Sequence, residues 1–226
     1  MSAEPTDVAG LVVGILGGTG PQGKGLALRL AGGGQQVLLG SRTADRASVA
    51  AAEVNAVAGT SRVTGADNAS VAARADVVVV AVPWEGHADL VGSLREEVRG
   101  KVVVDCVNPL AFDKQGAYAL TVTEGSAAEQ AQALLPESRV VGAFHHLSAV
   151  LLADPSVERM DSDVLVVGDD RAATDLVQSL AERIPGLRGV YAGRLRNCRQ
   201  VEALTANLIS INRRYGSHAG IRVTDV

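Results

Sequence analysis

An apolar run, Leu11-Val12-Val13-Gly14-Ile15-Leu16, leads straight into Gly18-Thr19-Gly20-Pro21-Gln22-Gly23, and this junction restricts the fold more than any other feature of the chain. It reads as a strand, a glycine turn and the start of a helix, the opening of a dinucleotide-binding βαβ unit. The first glycine permits the tight turn and the second lets backbone approach a pyrophosphate. The third brings helix and strand close, while the helix N-terminus offers free N–H groups and partial positive charge. The helix continues through Lys24 to Leu30, and Gly32-Gly33-Gly34 ends it.

The end of the second strand decides which dinucleotide is bound. That strand is Gln36-Val37-Leu38-Leu39-Gly40, and a carboxylate normally follows it when NAD is the ligand. Here Ser41-Arg42 follows, with Arg46 one helical turn on. A guanidinium grips a 2′-phosphate through paired charge-assisted bonds, where a carboxylate would repel it. The pattern therefore favours NADP, although two solvated arginines at a helix start would look the same in sequence.

Beyond this unit, β-branched runs alternate with Ala-rich amphipathic stretches. Further strands are read at Arg62–Thr64, Asp76–Val82, Lys101–Asp105 and Arg139–Phe144. Helices are read at Thr43–Ala58, Glu85–Val98 and from Ser126 to before Pro136, and residues 108–125 read as irregular. The expectation is an α/β fold: a doubly wound Rossmann-type parallel sheet over residues 1–150, then a small C-terminal α/β lobe over 151–226. In that lobe, Asp163–Gly168 and Gly189–Ala192 read as strands and Asp169–Ile184 as a helix. A long helix near Arg194–Arg214 places Val201, Leu204, Leu208 and Ile211 on one stripe, read as core or a homodimer seam. Hydrophobic residues make up 47% of the 226, with only 3% aromatic, so Val, Leu, Ile and Ala must build the core. Cys106 and Cys198 are isolated, and neither a leader segment nor a membrane span is read, which points to a cytoplasmic protein.

Charge is uneven. Residues 186–226 hold seven arginines against Glu202 and Asp225, in a chain of net charge −4. No nucleic-acid motif accompanies them, so a small polyanion is the better partner. In an open α/β sheet the ligand lies beyond the carboxyl ends of the strands. That rule selects Val82-Pro83-Trp84 with His87, then Asn108, then His145-His146-Leu147-Ser148-Ala149. Trp84 and the histidines also read as ordinary packing or loop residues, and no metal site is expected from the adjacent histidines. No Tyr-x-x-x-Lys pair is present, and lysine occurs three times, at Lys24, Lys101 and Lys114. Reducing a ketone or imine needs a proton donor beside the hydride acceptor. A reaction between two hydride carriers needs only two rings held face to face with water excluded.

The chain resembles the NADPH-dependent coenzyme F420 oxidoreductases. The resemblance is carried by Gly17-Gly18-Thr19-Gly20, Gly23 to Leu30, Gly40-Ser41-Arg42, Pro83-Trp84-Glu85, Gly168-Asp169-Asp170 and the Asn197–Glu202 segment. It implies an oxidoreductase that moves a hydride reversibly between NADP(H) and the deazaflavin coenzyme F420. Gly18, Thr19, Gly20, Pro21, Gln22 and Gly23 would cradle the pyrophosphate, and Ser41, Arg42 and Arg46 would hold the 2′-phosphate. Val82, His87, Asn108 and Ala149 would line the nicotinamide. His145, a possible catalytic group, and Leu147 would border the deazaflavin, with Ala219 in the Gly216–Gly220 turn touching it. Arg46 replaces the family's lysine, Gly86 shifts His87 by one, Ser148 replaces a proline, and His146 stands where threonine is usual. The alternatives are an NADPH-dependent reductase of a small imine or keto acid, and a non-catalytic NADP-sensing module.

Overall fold

The computed structural model describes residues 6–226. Among the described residues, ten strands and eight α-helices follow one another, in the order β1 (Val12–Leu16), α1 (Pro21–Gly32), β2 (Gln36–Ser41), α2 (Ala44–Ala58), β3 (Val63–Asp67), α3 (Asn68–Arg74) and β4 (Val77–Val80). Next come α4 (His87–Ser93), β5 (Val102–Asp105), β6 (Leu110–Asp113), β7 (Gly116–Ala119), α5 (Ala127–Leu134), β8 (Arg139–Gly142) and α6 (Ala149–Ala153). The chain then forms β9 (Ser162–Gly168), α7 (Arg171–Ala181), β10 (Leu187–Tyr191) and α8 (Cys198–Tyr215).

Eight strands make one sheet in the order β10-β9-β8-β5-β4-β1-β2-β3. From β8 to β3 every pairing is parallel, which is the doubly wound arrangement with its reversal between β1 and β4. The C-terminal α/β segment continues this sheet: β9 pairs antiparallel with β8, and β10 pairs parallel with β9. The 150/151 division thus falls within one continuous sheet. Because β9 runs backwards, its first residues arrive at the edge where β1, β4, β5 and β8 end.

The sequence of β4, four consecutive valines, follows from this layering. Val77 and Val79 pack on one face with α1-side residues such as Leu26 and Leu30. Val78 and Val80 pack on the other with Val71, Val91 and Ala131. Both faces are covered, so the run is apolar at every position rather than at alternate ones. Each such side chain contributes about 1.5–3 kcal/mol by burial.

Residues 108–125, read as irregular, contain the β6–β7 hairpin. Its turn is closed by Asp113, whose Oδ1 accepts the amides of Gln115 (2.7 Å) and Gly116 (3.1 Å). The helix read at Glu85–Val98 is regular only over α4, and the C-terminal helix begins at Cys198 rather than Arg194. The α8 stripe is mostly core: Val201 and Leu208 are buried, Leu204 is half-buried, and Ile211 alone is exposed.

Candidate functional site

The glycine turn is built as the sequence requires. Gly17 adopts φ +66°, and a Cβ there would lie 2.3 Å from Val82 Cγ1. A Cβ on Gly23 would meet Gly18 Cα at 2.6 Å, so this glycine permits the contact between α1 and the turn. Gly20 differs: its nearest protein atom would be Gly17 O at 3.7 Å. Nothing in the protein demands a glycine at position 20, so the open space above it fits an approaching phosphate. Pro21 occupies the first helical turn, and the amides of Gln22 and Gly23 head α1 with no intrahelical acceptor. Gln22 Nε2 donates to the Phe144 carbonyl (3.2 Å) and ties this turn to the end of β8.

At the end of β2, Ser41 is buried while Arg42 and Arg46 are exposed. Neither arginine forms an ion pair among the described residues. Both cations are therefore free to take a 2′-phosphate, and the residues present fit an NADP-type dinucleotide.

His87 corrects an expectation. Its ring is fully buried, with Nε2 2.6 Å from Asp105 Oδ2 and Nδ1 2.9 Å from Gln130 Oε1. Both nitrogens are occupied, so the imidazole does not face an open cleft. His87 opens α4 directly after Gly86, and the Trp84 ring stacks on it at 5.5 Å. Burial opposes charge on His87, but the hydrogen bond and charge of Asp105, together with Gln130, outweigh it and raise the pKa.

Asn108 follows the end of β5 and is half-buried. Its Nδ2 donates to the His145 carbonyl (2.8 Å), and Thr205 Oγ1 donates to the same carbonyl (3.3 Å). Val82 and Ala149 are half-buried on either side, at the end of β4 and the start of α6. Ala149 is set by Arg29, which donates from α1 to the carbonyls of Leu151, Leu152, Asp154 and Val157.

His145 and Leu147 are themselves nearly enclosed, at 3% and 6% exposure. Burial lowers the His145 pKa to about 4, so the ring is neutral at neutral pH. Its Nε2 lies 3.9 Å from Cys198 Sγ, and its Nδ1 has no partner. His145, Cys198 and Glu202 bring possible metal-ligating atoms within 4.8 Å of one another. Glu202, however, spends its oxygens on the amides of Ala127 (3.0 Å) and Ala128 (3.2 Å), and burial pushes the Cys198 thiol well up. The cluster is a hydrogen-bonded joint between α8, α5 and β8. Ala219 lies half-buried in the turn after α8, its amide held by Asn212 Oδ1 at 2.6 Å.

Sequence reasoning missed four residues here. Asn68 accepts the Gly17 amide through Oδ1 (3.2 Å), and Asp105 anchors His87. Glu202 joins two helices and Thr205 braces the His145 carbonyl. Asp105 alone carried a usable signal: a carboxylate ending an all-valine strand must find a partner.

Strand order, glycine turn and exposed arginines together define a protein of the Rossmann-type, dinucleotide-binding class. A sequence profile of the family described as NADP oxidoreductase coenzyme F420-dependent matches residues 12–109. The chain is 42% identical over 221 residues to the F420-dependent NADP reductase of Methanothermobacter thermautotrophicus, covering 95% of each. It is 37% identical to that of Methanocaldococcus jannaschii, covering 95% of this chain and 98% of the other. A solved structure from Arthrobacter sp. FB24, described as a candidate F420-dependent NADP reductase, superimposes with a TM-score of 0.78 at 29% identity. It covers 95% of this chain, which covers all of it. The chain belongs to the F420-dependent NADP reductase family.

Proposed function

We propose that this protein transfers a hydride reversibly between NADP(H) and the deazaflavin coenzyme F420. The observation that carries the reading is the unfilled space over Gly20 beside two unpaired arginines at the end of β2. Relatives named as F420-dependent NADP reductases, similar over nearly the whole chain, support the second coenzyme. When bound, the two coenzymes supply the redox chemistry, one giving a hydride and the other taking it.

The chain supplies position and dryness. Gly18, Thr19, Gly20 and Pro21 form the turn, and the amides of Gln22 and Gly23 at the head of α1 hold the pyrophosphate, while Ser41, Arg42 and Arg46 hold the 2′-phosphate. Val82, Asn108 and Ala149 border the nicotinamide, and the loop of His145 and Leu147 borders the deazaflavin together with Ala219. His87 supports this floor from beneath. No side chain has to deliver a proton to carbon, which suits a site whose buried His145 is neutral at neutral pH.

We place the working form as a cytoplasmic homodimer. Both cysteines are buried free thiols, as a reducing compartment keeps them. Exposed Ile211 and Tyr215 at the end of α8 support a contact with a second copy, as do Phe112 and Tyr118 on the hairpin. Among the described residues no helix is long and apolar enough to cross a membrane. Mixing NADPH with oxidised F420 tests the activity: the deazaflavin's visible absorbance should bleach. Protein that binds NADPH yet leaves that absorbance unchanged would refute the reading.

A further inference from the structure

Asp163 stands second in β9, on the edge of the sheet where β8 ends, and its carboxylate is fully buried. It is also fully used. Oδ1 accepts Arg188 Nε (3.0 Å) and Arg222 Nη1 (2.7 Å), and Oδ2 accepts Arg188 Nη2 (2.7 Å) and the Val223 amide (2.7 Å). These bonds, those of Arg188 first, hold the carboxyl well below the usual carboxylate range. Its backbone extends the clasp: the Asp163 amide donates to Ile221 O (2.7 Å), and the Asp163 carbonyl accepts His146 Nε2 (2.6 Å).

One residue thus grips two segments that are far apart in sequence. The 221–223 stretch carries the 216–220 turn, and His146 belongs to the 145–148 loop. The two face each other across a crevice of about 30 Å³ lined by His146, Leu147, Ser148, His218, Ala219 and Gly220. Ser148 Oγ and His218 Nδ1 approach to 3.5 Å across it. A buried ion pair adds little net stability, because desolvation offsets its attraction. What this one provides is a single geometry for both walls.

We propose that Asp163, with Arg188 and Arg222, is a positioning residue for the deazaflavin side of the cleft, locking the 216–220 turn to the 145–148 loop. This rests on the reading that the second coenzyme lies against His145, Leu147 and Ala219. Arg222→Ala tests it without orphaning the buried carboxylate, since Arg188 remains; Val223→Pro removes one N–H donor to Asp163 from an edge segment outside the sheet.

Hydrogen exchange without coenzymes should rise in both variants at 216–223 and also at 145–148. Calorimetric titration should show oxidised F420 binding at least tenfold weaker and NADP+ binding within twofold of the parent. Arg222→Lys should recover part of the loss. Exchange confined to the tail would overturn the proposal, as would unchanged F420 affinity in both variants. A parent protein that binds NADP+ but not F420, while both segments still loosen together, would refute the functional reading and support the lock.

Discussion

Gly20 and Gly23 lack a side chain for different reasons, and alanine should separate them. At position 23 the added carbon would press on Gly18 backbone at 2.6 Å, which cannot yield without moving the strand–helix junction. Gly23→Ala should therefore lower Tm by several degrees, read by thermal melting. At position 20 the carbon meets nothing nearer than 3.7 Å, and losing a glycine N-cap costs at most about 1 kcal/mol. Gly20→Ala should melt close to the parent yet bind NADP+ at least tenfold more weakly, because the methyl fills the space a phosphate needs. Under the proposed function, the arginines at the end of β2 act on the 2′-phosphate alone. Arg42→Ala should raise KM for NADPH by roughly tenfold to a hundredfold, the worth of one charge-assisted bond of about 1.5–3 kcal/mol. It should leave kcat nearly unchanged and KM for NADH unaltered, since uniform binding is what it removes. A parallel rise with NADH would take Arg42 away from the 2′-phosphate.

Between helices, Glu202 couples α8 to the start of α5 and gives stability a pH dependence. Burial raises its pKa from 4.5 to about 7, although the Ala127 and Ala128 amides favour the ionised form. The folded protein then holds a proton that the unfolded chain releases, so the stabilisation is complete below about pH 4.5 and erodes as pH climbs to about 7. The ceiling is about 3 kcal/mol. His145, neutral in the fold, works in the opposite direction between about pH 4 and 6.5, so the difference between parent and variant is the quantity to read. Glu202→Gln should remove the falling component: the parent's stability advantage over the variant should shrink between pH 5 and 7, measured by urea denaturation, and stay constant above. A constant difference throughout would mean that Glu202 is ionised in the fold.

The same elements show what a sequence discloses. Strands β1, β2, β4, β5 and β8 are legible because a two-sided sheet demands unbroken valine and leucine runs. The start of α5 at Ser126 is legible because its side-chain acceptor precedes a helical pattern, and in the structure Asp67, Ser126 and Asp170 each accept the amide three residues on. The β6–β7 hairpin is not, since its strands have four residues each and its turn lacks an Asn-Gly pair. The glycine turn and the arginines after β2 are legible through local motifs. The Asp105–His87 pair, Glu202 and the Asp163 clasp join residues 17 to 75 positions apart, and no local pattern encodes such distances.

For the whole molecule, the question is what covers the outer end of α8. Val201 and Leu208 are consumed by the protein's own core, so any seam with a second copy must lie beyond them. The α8 side chains that are large, apolar and exposed there are Ile211, 40% exposed, and Tyr215, 75% exposed. The hairpin, which packs on α8 through β7, adds Phe112 at 69% and Tyr118 at 47%. Exposed apolar groups on packed elements favour association, and a symmetric pair is the simplest way for one chain to bury them. A charge placed in such a contact loses its water without gaining a partner. The double variant Ile211→Glu, Tyr215→Glu should therefore sediment as a monomer at concentrations where the parent is a dimer. Because both side chains are exposed in the single chain, its monomer should keep the parent's circular dichroism and NADP+ affinity. A parent that sediments as a monomer would dismiss the homodimer altogether, and a double variant that remains dimeric would move the seam to another face, the free edge of β10 or of β3.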